Sequence, residues 1–309
     1  MSKKKFINNV YIEGYLYESN LKEKVAGANS KVPGAHYING EIKIATDEAC
    51  LNIVPIHFSY VPESRGEFAI LRDIMNDVYS SVTKKGKDDA TKLNVSTAIA
   101  INDFVSPSTG EMVSALRNEG GFIHVVSQLP EESKRNSFDV DIVITGVKEV
   151  DENPDREIPA HAIVKGVIFD FTKAIIPVEF AVYSQDGIGY FMSFADAKEF
   201  PLFTKVHGKQ IVQHMTRKYE EASAFGDPVV KEITSTRKEY VITSAQTEPY
   251  VFDDESTILM SELSEWSSNR EVVLAKVRAS YDERTGKNAK AAGADSSSVI
   301  GGSDDEFKF

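Results

Sequence analysis

The stretches IVPIHF (residues 53–58) and IIPVEF (residues 175–180) share one pattern: isoleucine, an aliphatic residue, proline, another aliphatic, a variable position and phenylalanine. Upstream of each lies a glycine-containing strand, NGEIKIAT from Asn39 and KGVIFDFT from Lys165. Farther upstream, NNVYIEGYLYE (8–18) alternates Val10, Ile12, Gly14 and Leu16, while DVDIVITGVKE (139–149) alternates Ile142, Ile144 and Gly146. Alternation of this kind marks a half-buried strand, and the interior glycine marks a bend or bulge. Three features recur in one order at separations of roughly 120 to 130 residues, so the chain reads as a duplicated fold.

Each unit then passes into a helix. In the first, Ser64-x-x-Glu67 has the form of a capping box, followed by Phe68, Leu71, Ile74, Met75 and Val78 at helical spacing. In the second, Ser193-x-x-Asp196 predicts a longer helical stretch that includes Phe203, Val206, Ile211 and Met215. The charged loop TKKGKDDATK (83–92) leads into LNVSTAIAINDFV, a turn SPSTGE, MVSALR, a turn NEGG and a closing strand FIHVV. The second unit closes with RKEYVITSAQTEPYVF (237–252). Strands, helix, then strands again is the order of an OB-fold, a five-stranded Greek-key barrel.

The expected fold is therefore mainly β with helices: tandem OB-fold barrels over 1–130 and 131–252, each with an interposed helix. Leu259, Leu263 and Trp266, then a Ser268-x-x-Glu271 cap with Val273, Val277 and Tyr281, predict one or two docked helices over 253–284. From Thr285 to Phe309 the chain is small, polar and glycine-rich, which predicts a flexible, disordered tether with an acidic tip.

The 309 residues are 41% apolar, enough for two ordinary cores. The lone Cys50 excludes an internal disulfide, and no metal-ligand spacing is evident. MSKKKFINNV lacks the apolar run of a signal peptide or membrane span, so the chain reads as cytoplasmic, with no membrane partner. The formal net charge of -12 runs against nucleic-acid binding unless a local basic groove exists. Residues 253–309 contribute 12 acidic against 7 basic side chains, so much of that charge lies outside the barrels.

INNVYIEGYLYE (7–18), NGEIKIAT (39–46) and the ending DDEFKF (304–309) together resemble single-stranded DNA-binding proteins of the bacterial and phage type. The resemblance covers residues 6–60 and 301–309. It implies a coat of single-stranded DNA, without sequence readout, during DNA replication, recombination or repair, in the host cytoplasm if the chain is phage-encoded. It also implies that Asp304, Asp305, Glu306, Phe307 and Phe309 recruit replication or recombination proteins. In the family the tip ends Pro-Phe, whereas here Lys308 separates the two phenylalanines. Two barrels in one chain are closer to phage versions that work as monomers or homodimers.

Binding single strands needs aromatic faces for bases and cations along the phosphates. Tyr11, Tyr15 and Tyr17 alternate with Val10, Ile12 and Leu16 and form the expected stacking face; the alternative is that they cover a barrel end. Lys22, Lys24 and Lys31 fall between the first two strands, with His36, Tyr37 and Lys43 just after. Lys84, Lys85, Lys87 and Lys92 would extend the groove. In the second unit Arg156, Lys165, Phe169, Phe171 and Lys173 are the equivalent set, beside the acidic loop EVDENPDREIP.

No enzyme motif stands out, and no cofactor is expected. His207 and His214 would share a helix face, and Asp139 with Asp141 a strand face, which is too little for a metal site or a two-metal nuclease. A protein-interaction scaffold built on the same barrels is the competing reading, because it fits the acidity directly.

Overall fold

Valine, isoleucine and aromatic residues at alternate positions make these segments strands, and the alternation decides which side each buries. The computed structural model describes residues 5–28, 30–153, 158–221 and 229–292, with backbone only over 214–221, 229–235 and 287–292. The first set comprises β1 (Asn8–Val25), β2 (His36–Ala45), β3 (Ile53–Pro62), helices α1 (Gly66–Met75) and α2 (Val82–Lys85), β4 (Lys92–Val105) and β5 (Met112–Val125). β1 pairs antiparallel with β2 and β4, β2 with β3, and β4 with β5. The ring closes by parallel pairing of β3 with β5 at Ile56–Asn118 and His57–Glu119.

The second set repeats this circuit. It consists of β6 (Asn136–Val150), β7 (His161–Phe169), β8 (Ile175–Val182), α3 (Gln185–Ala197), β9 (Leu202–Glu221) and β10 (Val229–Ala245). Antiparallel pairs β6–β7, β7–β8, β9–β10 and β6–β9 are closed by a parallel contact of β8 with β10 at Ala181–Val241. Both circuits are OB-fold barrels, with the helix between the third and fourth strands. The repeated glycine has a steric cause. Gly40, at φ +132°, runs so close to β1 that a Cβ would lie 2.0 Å from the Asn20 carbonyl oxygen, and one on Gly166 would lie 2.5 Å from that of Val143.

The core is continuous across both barrels, from Ile12, Ile38, Ile56 and Phe58 to Phe138, Ile142 and Phe180. The joint is made by β1 pairing with β6 from Asn8–Val140 to Ile12–Asn136. A lattice of amides reinforces it. Asn118 donates to the Gln210 side-chain oxygen at 2.7 Å and accepts from Tyr240 at 3.2 Å, while Gln210 N–H donates to Asn136 at 3.1 Å. Each such bond adds about 0.5–1.5 kcal/mol and, being directional, fixes how the barrels sit.

Several local expectations are corrected. α1 starts at Gly66 with Arg65 at the N-cap and no side-chain cap bond, because Glu67 pairs with Arg65 at 3.1 Å; Val78 lies beyond its end, exposed. The second helix is earlier than Ser193 suggests. Ser184 opens α3 by accepting from Gly187 N–H, and the left-handed Lys198 closes it. Phe203, Val206, Ile211 and Met215 therefore lie in β9, where Thr204, Val206, Gly208, Gln210 and Val212 are buried at period two. NEGG is not a turn but a bulge inside β5, opposite the Ser96–Ala98 register shift, with Gly120 and Gly121 at positive φ.

Beyond the barrels the described residues form one helix, α4, over Met260–Ala292. It docks through Leu263 and Trp266 onto Phe6, Phe169 and Phe203. The tether expected from Thr285 is corrected over 285–292, where the lysines and alanines of TGKNAKAA are good helix formers that extend a helix already nucleated. Residues 293–309, including the tip from Asp304 to Phe309, lie outside the described residues. Among the described residues no helix is long and apolar enough to cross a membrane.

Candidate nucleic-acid interface

On β3, Ser59 and Tyr60 together oppose Asn39, because the register runs Ile38–Val61 and then Gly40–Phe58. Such a bulge re-aims a side chain. Tyr60, 45% exposed, turns outward and packs its ring against Tyr37 at 4.7 Å between centroids and 35° between planes. Directly opposite residues of an antiparallel pair share a face. Lys24 is the partner of Tyr37, and Lys22 that of Asn39, so two lysines stand beside the paired rings. Among the described residues neither has a carboxylate partner, and both are exposed. This ribbon of the second and third strands is where OB-folds hold oligonucleotides.

Lys22 and Lys24 thus belong to β1 rather than to the loop; Lys31 lies in the connection and is exposed. His36 is on the opposite face from Tyr37, with its Nδ1 2.7 Å from Glu23. Lys43 is tied to Glu18 at 2.8 Å, a bond that raises its pKa, and six positions separate it from Tyr37, about 20 Å along a strand. Between them Glu41 faces His57, whose pKa is pushed down by burial and by nearby Arg117.

The tyrosines of β1 do not form the expected stacking face. Tyr11 is exposed, on the part of β1 held between β4 and β6, but Tyr15 is only 9% exposed. It packs with Ala45, Ala90 and Tyr17, and its hydroxyl donates to Glu48. Lys87 and Arg135 sit over its ring at 5.7 and 5.9 Å. A β1 bulge at Tyr17 and the chain around Glu48 and Lys87 roof this face, so it covers the barrel end. Lys87 is correspondingly committed to Glu48 at 2.9 Å, and Lys84 is bonded to Asp77; Lys85 is exposed without a carboxylate partner among the described residues.

Glu48 is the hub of that roof. Hydrogen bonds from Lys87, then Arg135, hold its pKa down to about 2, against an ordinary value of 4.5. A lowered carboxylate pKa contributes stability that is complete above 4.5 and is lost as pH falls toward 2. Glu48→Gln is expected to cost on the order of 1 kcal/mol at pH 7, because the carboxylate is half exposed. It should also flatten the acid side of the stability curve, as followed by urea melts between pH 7 and pH 3.

In the second barrel Phe169 is buried, Phe171 is 98% exposed on the turn after β7, and Lys165 pairs with Glu179 at 2.7 Å. Lys173 lies over Trp266, and Arg156 is outside the described residues. His207 lies on β9, hydrogen-bonded to Asp139, and Asp141 accepts from the Ile7 amide and the Tyr250 hydroxyl. His214 lies on β9 with its side chain outside the description. Among the described residues no group of three or more His, Cys, Asp or Glu side chains could hold a metal.

Sequence reasoning missed Tyr60. Counted in strict alternation from Ile56 and Phe58 it points inward, and only the bulge reverses it.

Two closed five-stranded barrels, the first carrying an outward aromatic pair beside two lysines of β1, define a tandem OB-fold protein. The YorF family matches residues 7–265, and the chain belongs to it. No curated protein matches. The single-stranded DNA-binding protein from Thermus aquaticus is similar in structure, at 10% identity and TM-score 0.45, covering 80% of this chain and 96% of that one. A deletion mutant of that same protein gives 11% identity, TM-score 0.44, and 81% and 98% coverage. A replication protein A heterotrimer bound to single-stranded DNA gives 10%, 0.24, and 88% and 70%.

Proposed function

We propose that the chain binds single-stranded DNA without reading its sequence, by stacking bases on Tyr37 and Tyr60 while Lys22, Lys24 and Lys31 follow the phosphates. The observation that carries this reading is the outward ring pair on the β2–β3 ribbon, Tyr60 exposed and Tyr37 partly so, with two lysines on the same face that no carboxylate among the described residues holds. Every base has a π-face, so such a platform is indifferent to sequence. The first barrel is the binding domain, and no step of bond-breaking chemistry is assigned to it.

Labelled single strands are expected to bind much more tightly than duplex of the same length. With two or three phosphates neutralised, log K should fall against log salt with a slope of about -1.4 to -2, at about -0.7 per contact. Equal binding to duplex, or no dependence on salt, would sink the reading. A protein scaffold is favoured by the acidity and by the carboxylates that already occupy His36, Lys43, Lys84 and Lys87. It predicts no shift of the oligonucleotide at all.

On this reading the protein acts in cytoplasmic replication, recombination or repair, phage-encoded or not, and the acidic tip is its lure for partner proteins. Asp304, Asp305 and Glu306 would compete weakly with phosphate for the lysines, and Phe307 or Phe309 for a stacking position. Removal of residues 301–309 should then tighten single-strand binding at low salt, where exposed charges are least screened.

A further inference from the structure

The second barrel carries its own aromatic pair at the same end of its second-and-third-strand ribbon. His161, the first residue of β7, and Tyr183, just past β8, lie with ring centroids 5.0 Å apart and planes 31° apart. Both are half-exposed. The pair is held rigidly. Arg237 lies over the Tyr183 ring at 5.4 Å and pairs with Glu239 at 2.8 Å, while the Tyr183 hydroxyl donates to Glu239 at 2.7 Å. His161 Nδ1–H donates to the Pro159 carbonyl at 2.9 Å.

The two pairs are linked across β5. Arg117 of β5 donates to Ser59, beside Tyr60, at 3.3 Å, and Lys238 of β10 donates to the carbonyl of Leu116, the neighbour of Arg117, at 2.7 Å. There a cleft of about 430 Å³ opens between the barrels, lined by Ala115 and Leu116 on one side and by His161, Ile163, Glu179 and Lys238 on the other.

We infer that this cleft is a second nucleobase site, so that one single strand runs from Tyr37–Tyr60 over β5 onto His161–Tyr183. The inference rests on the proposed single-strand binding. The cleft offers phosphate little to hold: its carboxylates are paired, Glu179 with Lys165 and Glu239 with Arg237, and its lining cation, Lys238, is tied to the Leu116 carbonyl. A base, uncharged and flat, fits between Ala115, Leu116 and Ile163 and the ring of His161, which lines the cleft with Tyr183 packed against it, and leaves the backbone outside. The site contributes stacking and little charge.

The test measures binding of thymidine oligomers of about 6 and about 40 nucleotides, lengths below and above the roughly 8–32 that two barrels need at about 4–16 per barrel. The parent is compared with His161→Ala/Tyr183→Leu, with Tyr183→Phe, and with Tyr37→Ala/Tyr60→Ala, each checked for an unchanged melting temperature. The His161/Tyr183 double variant is expected to bind the long oligomer about tenfold more weakly, leaving the short one and the salt slope unchanged. Tyr183→Phe keeps the ring and should bind like the parent. Undiminished binding of the long oligomer by the double variant overturns the inference. So does a loss in Tyr183→Phe equal to that in the double variant, which would assign the effect to the hydroxyl's bonds. Failure of the parent to bind either oligomer instead removes the reading beneath it, and weakening of both lengths by the Tyr37/Tyr60 variant shows that reading intact.

Discussion

A protein carrying Tyr37→Ala and Tyr60→Ala together is expected to lose about 2–4 kcal/mol of single-strand affinity, roughly 30- to 1,000-fold, while melting close to the parent. Each stacked base is worth about 1–3 kcal/mol by alanine substitution, and because the rings touch, the two losses will not simply add. Tyr60 is exposed and Tyr37 partly so, which leaves the fold little to lose. Fluorescence anisotropy at fixed salt measures the affinity. Lys22→Ala/Lys24→Ala supplies the contrast, since it should lower the salt slope by about 1.4 rather than act alike at every salt concentration. If the tyrosine double variant binds like the parent, the ring pair is packing and the proposed site is wrong. Tyr15→Ala is no substitute for this test. Its ring is buried beneath Lys87 and Arg135, so a loss of binding there would report damage to the roof over β1.

The duplication is legible in the sequence because sterics impose it twice. Gly40 and Gly166 occupy places where a strand passes too close to its neighbour for a side chain, and the paired IVPIHF and IIPVEF strands follow each. The order of elements then specifies the barrel. What stays illegible are departures from regular period. β9 reads as helix because Phe203, Val206 and Ile211 fall at spacings a helix also allows, and the polar Thr204 and Gln210, both buried, hide the period of two. Gln210 is polar inside because it serves the amide lattice between the barrels, a partner no local pattern reveals. The binding face suffers in the same way. Tyr37 stands out in the sequence, but its partner Tyr60 is hidden by a bulge, and Tyr15 reads as exposed because the residues that cover it are 30 or more positions away. Charge pairing is equally non-local: Lys84 and Lys87 read as free cations in a charged loop, and only the fold brings Asp77 and Glu48 to them.

Asp103→Ala is expected to release helix α4 from the barrels. Asp103, on β4, receives both Arg270 nitrogens at 2.6 Å, in a fork with side chains only 8% and 13% exposed, and the Ser114 hydroxyl at 2.7 Å. Arg278 reaches onward to the Gly110 carbonyl, so the helix is fastened along the β4–β5 arm. Burial by itself would raise the Asp103 pKa, but the bonds from Arg270 and Ser114 outweigh it and the net shift is downward. The stabilisation is therefore complete above the ordinary aspartate value near 3.8 and is lost as pH falls below it. Removing the carboxylate leaves a guanidinium buried and unpaired, a loss of about 3–5 kcal/mol if it has to stay there. The helix has a cheaper response. From about Arg270 onward it can swing into water, while Leu263 and Trp266 stay seated on Phe6 and Phe169, so the barrels should remain folded. Hydrogen exchange is the deciding measurement: at pH 7 the variant should lose protection along 270–285 and at the 103–114 arm, with β6–β8 unchanged. Asp103→Ala/Arg270→Met should recover much of it, because an apolar pair of similar volume has no charge to desolvate. Protection unchanged in the single variant would mean that the aromatic contacts alone hold α4, and that the ion pair contributes little to its docking.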